Sequence, residues 1–239
     1  MTLFPGGVAV TDLVVYDWEA ADGCRGGSPH LHTASSEGYV VIGGSGTVQT
    51  LSAGGFAEHR LSVGDVLWFS PGTVHRLIND GDLRLLVVMS NAGLPESGDA
   101  VFTFPAHILD DPAAYARAAV LPDDDDAHRA EAARARRDLA LVGFAELRDA
   151  GPHALADFHA HAVRIVAPRV AQWQRLWEST VLAETERTRA ALTALASGDM
   201  SILAGASVSR ATPTSPERSY GMCGRLRTWN WPTGDALGH

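Results

Sequence analysis

Between residues 8 and 89 apolar positions come in short runs split by glycine-rich breaks; beyond residue 124 they recur at helical spacing. Val8 to Asp17 carries Val8, Val10, Leu13, Val14, Val15 and Tyr16, a run rich in β-branched residues that ends at the break from Gly23 to Gly27. Tyr39 to Ile42 reads as a strand, with Gly43-Gly44-Ser45-Gly46 as a hairpin turn. Thr47 to Leu51 and Glu58 to Leu61 flank Ala53-Gly54-Gly55, and Val66 to Phe69 follows. His75 to Ile78 then runs into a turn at Asn79-Asp80-Gly81-Asp82. Leu83 to Met89 is almost continuously apolar, as in a strand buried on both faces. Short strands at this even spacing predict a sandwich or barrel.

The next stretch, 91 to 122, holds Pro95, Pro105, Pro112 and Pro122 and little periodicity. It reads as a connector with one short helix from Pro112 to Ala119, capped by Asp111. Helical spacing then predicts three helices. The first is His128 to Asp149, with Ala140, Phe144 and Leu147 on one face and Gly151-Pro152 as the stop. His153 to Val166 is the second. After a kink at Pro168, Val170 to Ser197 is the third, stopped by Gly198. Such helices can pack together, cover a barrel face or meet a partner subunit. Arg210 to Arg218 reads as a loop, Tyr220 to Trp231 as a returning strand or docked segment, and Thr233 to His239 as a frayed end. The expected division is a β-barrel over 1–105, a connector over 106–122, a helical region over 123–198 and a tail over 199–239.

Chemistry concentrates in two stretches. His30 and His32 are two apart, so on a strand both rings point to one face, and Glu37 follows after a gap that a small turn or bulge can absorb. Two imidazoles and a carboxylate on one side suit Fe, Mn, Zn, Ni or Cu. The second stretch is Gly64-Asp65, a short apolar run, Pro71-Gly72 and then His75, with Asn79 four positions further on. Together the two resemble the paired motifs of the cupin superfamily: His-x-His, four residues, Glu, six residues, Gly44, then Gly-Asp through Pro-Gly to His75 and Asn79. The resemblance covers roughly the first hundred residues. It implies a jelly-roll β-barrel closed around one divalent transition metal ion (Fe, Mn, Zn or Ni), with His30, His32, Glu37 and His75 as ligands. The fold class is then a mainly β, cupin-type N-terminal half followed by an α-helical C-terminal region.

Strand phase adds neighbours. With Glu37 inward, Tyr39 and Val41 are inward too, and Tyr39 is a candidate cavity or catalytic residue as well as a candidate filler of the barrel. With His75 inward, Leu77 is inward and Arg76 points away, as a surface or interface charge. Trp68 and Phe69 take opposite faces, and Asn79 orders its turn. His107, in the connector, is within reach of the barrel mouth but reads as a surface residue, and His159 and His161 diverge on a helix, so that pair is discounted as metal ligands.

A net charge of −9 argues against a nucleic-acid surface. The run Asp123 to Asp126 reads as a solvated helix start. Two cysteines, Cys24 and Cys223, fit a reducing compartment better than a disulfide scaffold. No leader pattern opens the chain and no stretch is long enough to span a membrane, so a cytoplasmic protein is expected, without membrane partners and as a homo-oligomer, a dimer. Three imidazoles and one carboxylate leave open positions on a five- or six-coordinate ion, for dioxygen or a bidentate oxygen ligand. The expected function is a metal-dependent enzyme on a small oxygen-rich metabolite, dioxygenase-type chemistry ahead of isomerase or lyase. The competing expectation is a small-molecule-binding or regulatory module without catalysis.

Overall fold

The computed structural model describes residues 4–230, so Trp231 and the segment Thr233 to His239 lie outside the described residues. The β part comprises β1 (Ala9–Val15), β2 (His30–His32), β3 (Glu37–Ser52), β4 (Gly55–Ser62), β5 (Val66–Phe69), β6 (Val74–Met89) and β7 (Ala100–Phe102). Near the C-terminus come β8 (Thr212–Pro213), β9 (Ser219–Tyr220), β10 (Gly224–Arg227) and β11 (Trp229–Asn230). All pairings are antiparallel; β4, β3, β6, β1, β10 and β9 neighbour one another in that order, with β5 on β3 and β2 between β6 and β7. β8 and β11 pair separately.

The two long strands shape the barrel. Glu37 to Val41 of β3 pairs with Met89 to Leu85 of β6, whereas Gly46 to Leu51 pairs with Asn79 to Val74. Between these halves the register shifts at Val41/Gly43, Gly43/Ser45 and Ser45/Gly46. Neither Gly43–Gly46 nor Asn79–Asp82 is therefore the turn that its composition suggests. Both are bulges inside continuous strands, and they bend two strands together so that each half serves a different side of the barrel. Gly44 has φ 66° there, and a Cβ on it would fall 2.2 Å from the Gly81 carbonyl oxygen. Asn79 holds the bulge: its Oδ1 accepts from the amides of Gly81 and Leu83, and its Nδ2 donates to the Val15 carbonyl.

Burial also departs from expectation along β6. Val74 to Asn79 is buried on both faces, while Leu83 to Met89 alternates between buried and more exposed positions. Arg76 is not a surface charge. Its side chain is 1% exposed and pairs with Asp22 while reaching the Gly27 carbonyl, because the β1–β2 connection covers that side of the strand. Trp68 faces solvent at 74% exposure, and Phe69 turns in toward Tyr39 and His75.

The helices are α1 (Ala106–Leu109), α2 (Pro112–Ala119), α3 (Asp126–Ala150), α4 (Pro152–Val166), α5 (Val170–Trp177), α6 (Ala183–Ala196) and α7 (Ser201–Ala204). Asp111 caps α2 through the Ala113 amide, and Asp125 caps α3 through the His128 amide. The long third helix expected from the sequence is divided by a π turn at Glu178–Leu182, where the buried Thr180 hydroxyl donates to the carbonyls of Leu176 and Ala92.

Two apolar cores result. Tyr39, Val41, Val48, Leu77, Leu85 and Val87 belong to the barrel interior. Leu31, Leu51 and Val74 face the other way and pack with Phe144, Phe158 and Ile165 of the helical layer. Contact between layers is close: a Cβ on Gly143 of α3 would lie 2.1 Å from the Thr103 carbonyl oxygen. Arg137 of α3, 1% exposed, donates to the carbonyls of Trp18 and Glu19, and Arg136 donates to those of Ala119 and Gly221. Thus α3 ties the β1–β2 connection and the C-terminal tail to one face of the barrel. Beyond the π turn α6 and α7 contain no buried residue.

Candidate metal centre

β2 is only three residues long, yet all three are buried: Leu31 turns to the helices, and His30 and His32 turn into the barrel. His30 stands directly opposite His75 across the β2–β6 ladder. The loop between His32 and Glu37 is tied down by the carbonyl of Asp99, which accepts from the Thr33 amide and hydroxyl, and by the Asp99 carboxylate, which accepts from the Ser35 amide. That loop delivers Glu37 to the first position of β3, between Phe69 of β5 and Met89 of β6.

One ligand atom from each of His30, His32, Glu37 and His75 lies within 4.8 Å of the others, and all four residues are buried. Glu37 Oε2 is 2.9 Å from His75 Nε2 and 3.3 Å from His32 Nε2, and the Nε2 atoms of His30 and His75 are 3.2 Å apart. The far nitrogens fix the tautomers. His30 Nδ1 meets the Ser28 carbonyl at 2.9 Å and His75 Nδ1 meets the Thr73 carbonyl at 3.1 Å. A carbonyl only accepts, so each Nδ1 carries the hydrogen. His32 Nδ1 does the same against the Asp99 carboxylate at 2.6 Å. In the neutral rings all three Nε2 lone pairs therefore point at one another and at a carboxylate oxygen. Such a set is repulsive without a cation among it, and its imidazole and carboxylate donors are those of a first-row divalent ion. The four residues could hold a metal, and the donor set fits one.

Electrostatics agree with that picture. Burial, followed by the charges of His75 and His32, holds His30 well below its ordinary value. Burial alone would raise Glu37, but His75 and His32 outweigh it and hold the carboxyl well below the usual range. His32 is pulled down by burial and, more strongly, up by the hydrogen bonds to Asp99 and Glu37, reaching about 10.

Tyr39 lies in the barrel as its phase requires, 0% exposed, with its ring edge-on to Phe69 at 5.4 Å. Its hydroxyl meets no hydrogen-bond partner among the described residues. Burial and the neighbouring Glu37 charge push its ionisation well above the ordinary value.

A cavity of about 190 Å³ opens beside His30, His32 and Glu37. One wall comes from β1 and β6 through Ala9, Leu13, Val87 and Met89; another comes from the tail through Met222, Cys223, Leu226 and Thr228. Thr11, Pro95 and Glu96 complete it, and Tyr39 is not part of the lining. Burial pushes the Cys223 thiol up, so it faces the cavity as a neutral group, and both cysteines are free. The tail reaches this place because β10 adds to β1, with Leu13 opposite Leu226, and because Gly27 lets the chain pass at Cys223: a Cβ there would lie 2.5 Å from the Cys223 Cα.

Asp99 and the tail residues are what motif spacing did not reveal. Asp99 stands alone in a proline-rich connector, and nothing periodic marks Met222 or Leu226 as cavity wall. His107 is exposed on α1, and His159 Nε2 meets the Gly72 carbonyl at the Pro-Gly turn.

Residues 17–89 match the family model described as a cupin domain. The N-terminal half is a cupin domain. Among solved structures, a variant of Streptomyces PAC13 with uridine is 17% identical over 37% of this chain and 62% of that one, with a TM-score of 0.29; PAC13 is described as a nucleoside dehydratase. A conserved double-stranded β-helix protein from Klebsiella pneumoniae is 19% identical over 37% of this chain and 71% of that one, TM-score 0.30. A predicted oxalate decarboxylase from Thermotoga maritima is 21% identical over 35% and 64%, TM-score 0.27. The chain thus spans less than two thirds of the PAC13 chain, and the helical layer has no counterpart within the cupin match. Curated proteins give no match. Among the described residues, no helix is long and apolar enough to cross a membrane.

Proposed function

We propose that this cupin is a metal-dependent enzyme, with a divalent transition ion held by His30, His32, Glu37 and His75, and that it acts on a small oxygen-bearing metabolite. The observation that carries the reading is the acceptor oxygen placed beside the Nδ1 atom of each of the three histidines. The Ser28 and Thr73 carbonyls and the Asp99 carboxylate turn three lone pairs onto one point, with a cavity at its side. When bound, the ion supplies Lewis acidity toward a chelating oxygen pair or, as Fe(II), a site for dioxygen, and dioxygenase-type chemistry is favoured over isomerase or lyase. The chain's own part is to fix the donors, exclude bulk water through the apolar walls and present one open side to the cavity. Tyr39 belongs to the packing behind Glu37 in this reading, and its hydroxyl stays protonated.

The test is elemental analysis of protein purified without chelators or a metal-binding tag, with oxygen uptake followed after Fe(II) loading and candidate substrates. One ion per chain is expected, with His75→Ala losing it while the melting transition persists. Full metal retention by His75→Ala contradicts the ligand assignment. Stoichiometric metal without oxygen uptake moves the chemistry to isomerase or lyase. A metal-free chain that still binds small molecules would bring the binding-module alternative forward.

A further inference from the structure

We infer that the molecule admitted to the cavity joins a single chelating oxygen pair to a short apolar body and carries at most one negative charge. The inference rests on the metal reading above and follows from what surrounds the open side of the site.

Size comes first. About 190 Å³ falls below the usual range of cofactor and drug pockets. A nucleotide or a disaccharide could not be enclosed whole and would leave much of its body outside the walls.

Polarity narrows the class further. Ala9, Leu13, Val87, Met89, Met222 and Leu226 line the walls, and the only hydroxyls among the described lining residues are those of Thr11 and Thr228. A polyhydroxylated substrate would press most of its hydroxyls against side chains that cannot bond them, at a cost for each one left unpaired. An alkyl body meets these walls without that cost.

Charge sets the last limit. Three neutral imidazoles, Glu37 and the buried Asp99 behind His32 bring two negative charges to a divalent ion, leaving no surplus. Among the described residues that line the cavity none is Lys or Arg, and Glu96 adds a further negative charge at its exposed rim. A single anionic head on the ion is tolerable, but a second anionic group has nothing to pair with. Phosphorylated and dicarboxylate metabolites are disfavoured on that ground.

The test uses the full chain loaded with Co(II), titrated with 2-oxopentanoate and with 2-oxoglutarate. These share a chelating head and differ in a terminal methyl or carboxylate. Binding is read by calorimetry and by the Co(II) d–d absorption, which reports ligation by the head. The methyl-ended acid is expected to bind at least about tenfold more tightly. Equal affinities, or a preference for 2-oxoglutarate, overturn the inference. Leu226→Lys keeps an aliphatic stem against the wall while adding an ammonium; it is expected to shift the ratio toward 2-oxoglutarate by about tenfold, and an unchanged ratio also overturns it. Co(II) uptake with neither acid bound counts against the substrate class alone. No Co(II) uptake by the unaltered chain removes the metal reading and this inference together.

Discussion

Replacing Asp99 by Asn separates the two jobs of one buried side chain. Asp99 is 0% exposed, and its two oxygens accept from His32 Nδ1 at 2.6 Å and from the Ser35 amide at 3.0 Å. An amide of the same size has one acceptor oxygen, so either the imidazole or the loop amide must face an NH₂ group. A buried donor left unpaired costs about 1–3 kcal/mol. The lost negative charge also makes His32 a weaker donor, and outer partners of metal-binding histidines are worth about 10–100-fold in affinity, or roughly 1.4–2.7 kcal/mol. Competition titration of zinc against a chromophoric chelator, on the purified full chain, reads this directly. Asp99→Asn is expected to hold zinc about 10–100-fold more weakly and to melt a few degrees lower, at about 2–4 °C per kcal/mol. If zinc affinity matches that of the unaltered chain while only the melting point falls, Asp99 serves the loop alone and the tautomer argument fails.

Two further outcomes concern the scaffold. Asp12 is held at about 2, from an ordinary value of 3.8, by the Arg84 hydrogen bond and then Arg218, against the raising effect of burial. A lowered carboxylate contributes stability above its unfolded value and loses it as pH falls through the folded one, so this contribution, roughly 1–2 kcal/mol with Arg84 half exposed, fades between pH 4 and 2. Urea midpoints of the parent and Asp12→Asn should differ at pH 5 and converge near pH 2; a constant gap contradicts the assignment. Gly143→Ala would place a Cβ 2.1 Å from the Thr103 carbonyl oxygen and is expected to cost about 1–3 kcal/mol as α3 is pushed off the barrel. A variant that melts with the parent would show that the layers can separate freely.

The cluster of His30, His32, Glu37 and His75 was readable because chemistry and strand phase act together over short distances. His30 and His32 share a face by the pleat, and the inward phase of Tyr39, Val41 and Leu77 follows from Glu37 and His75 by the same alternation. Helices α2 and α4 were readable because proline, aspartate and glycine punctuate them locally. What composition misjudged was the meaning of glycine and aspartate at Gly43–Gly46 and Asn79–Asp82. The same backbone freedom that permits a hairpin permits a bulge, and only the facing strand decides between them. Arg76 was misplaced because Asp22, its partner, is distant in the chain. Asp99 and the tail walls were invisible for a like reason: each acquires its role from a contact that no local pattern encodes.

The pairing of β10 with β1 has a consequence for how the protein comes into being. Arg218 reaches back 206 positions to Asp12, and Leu226 lies against Leu13 beside it. Contacts so far apart in sequence close slowly, because a long stretch of chain must be ordered before they repay its entropy. The far side of the cavity is therefore completed after His30, His32, Glu37 and His75 have been made. Until then β1 presents an unpaired edge, open to a strand from another molecule where the concentration of chains is high.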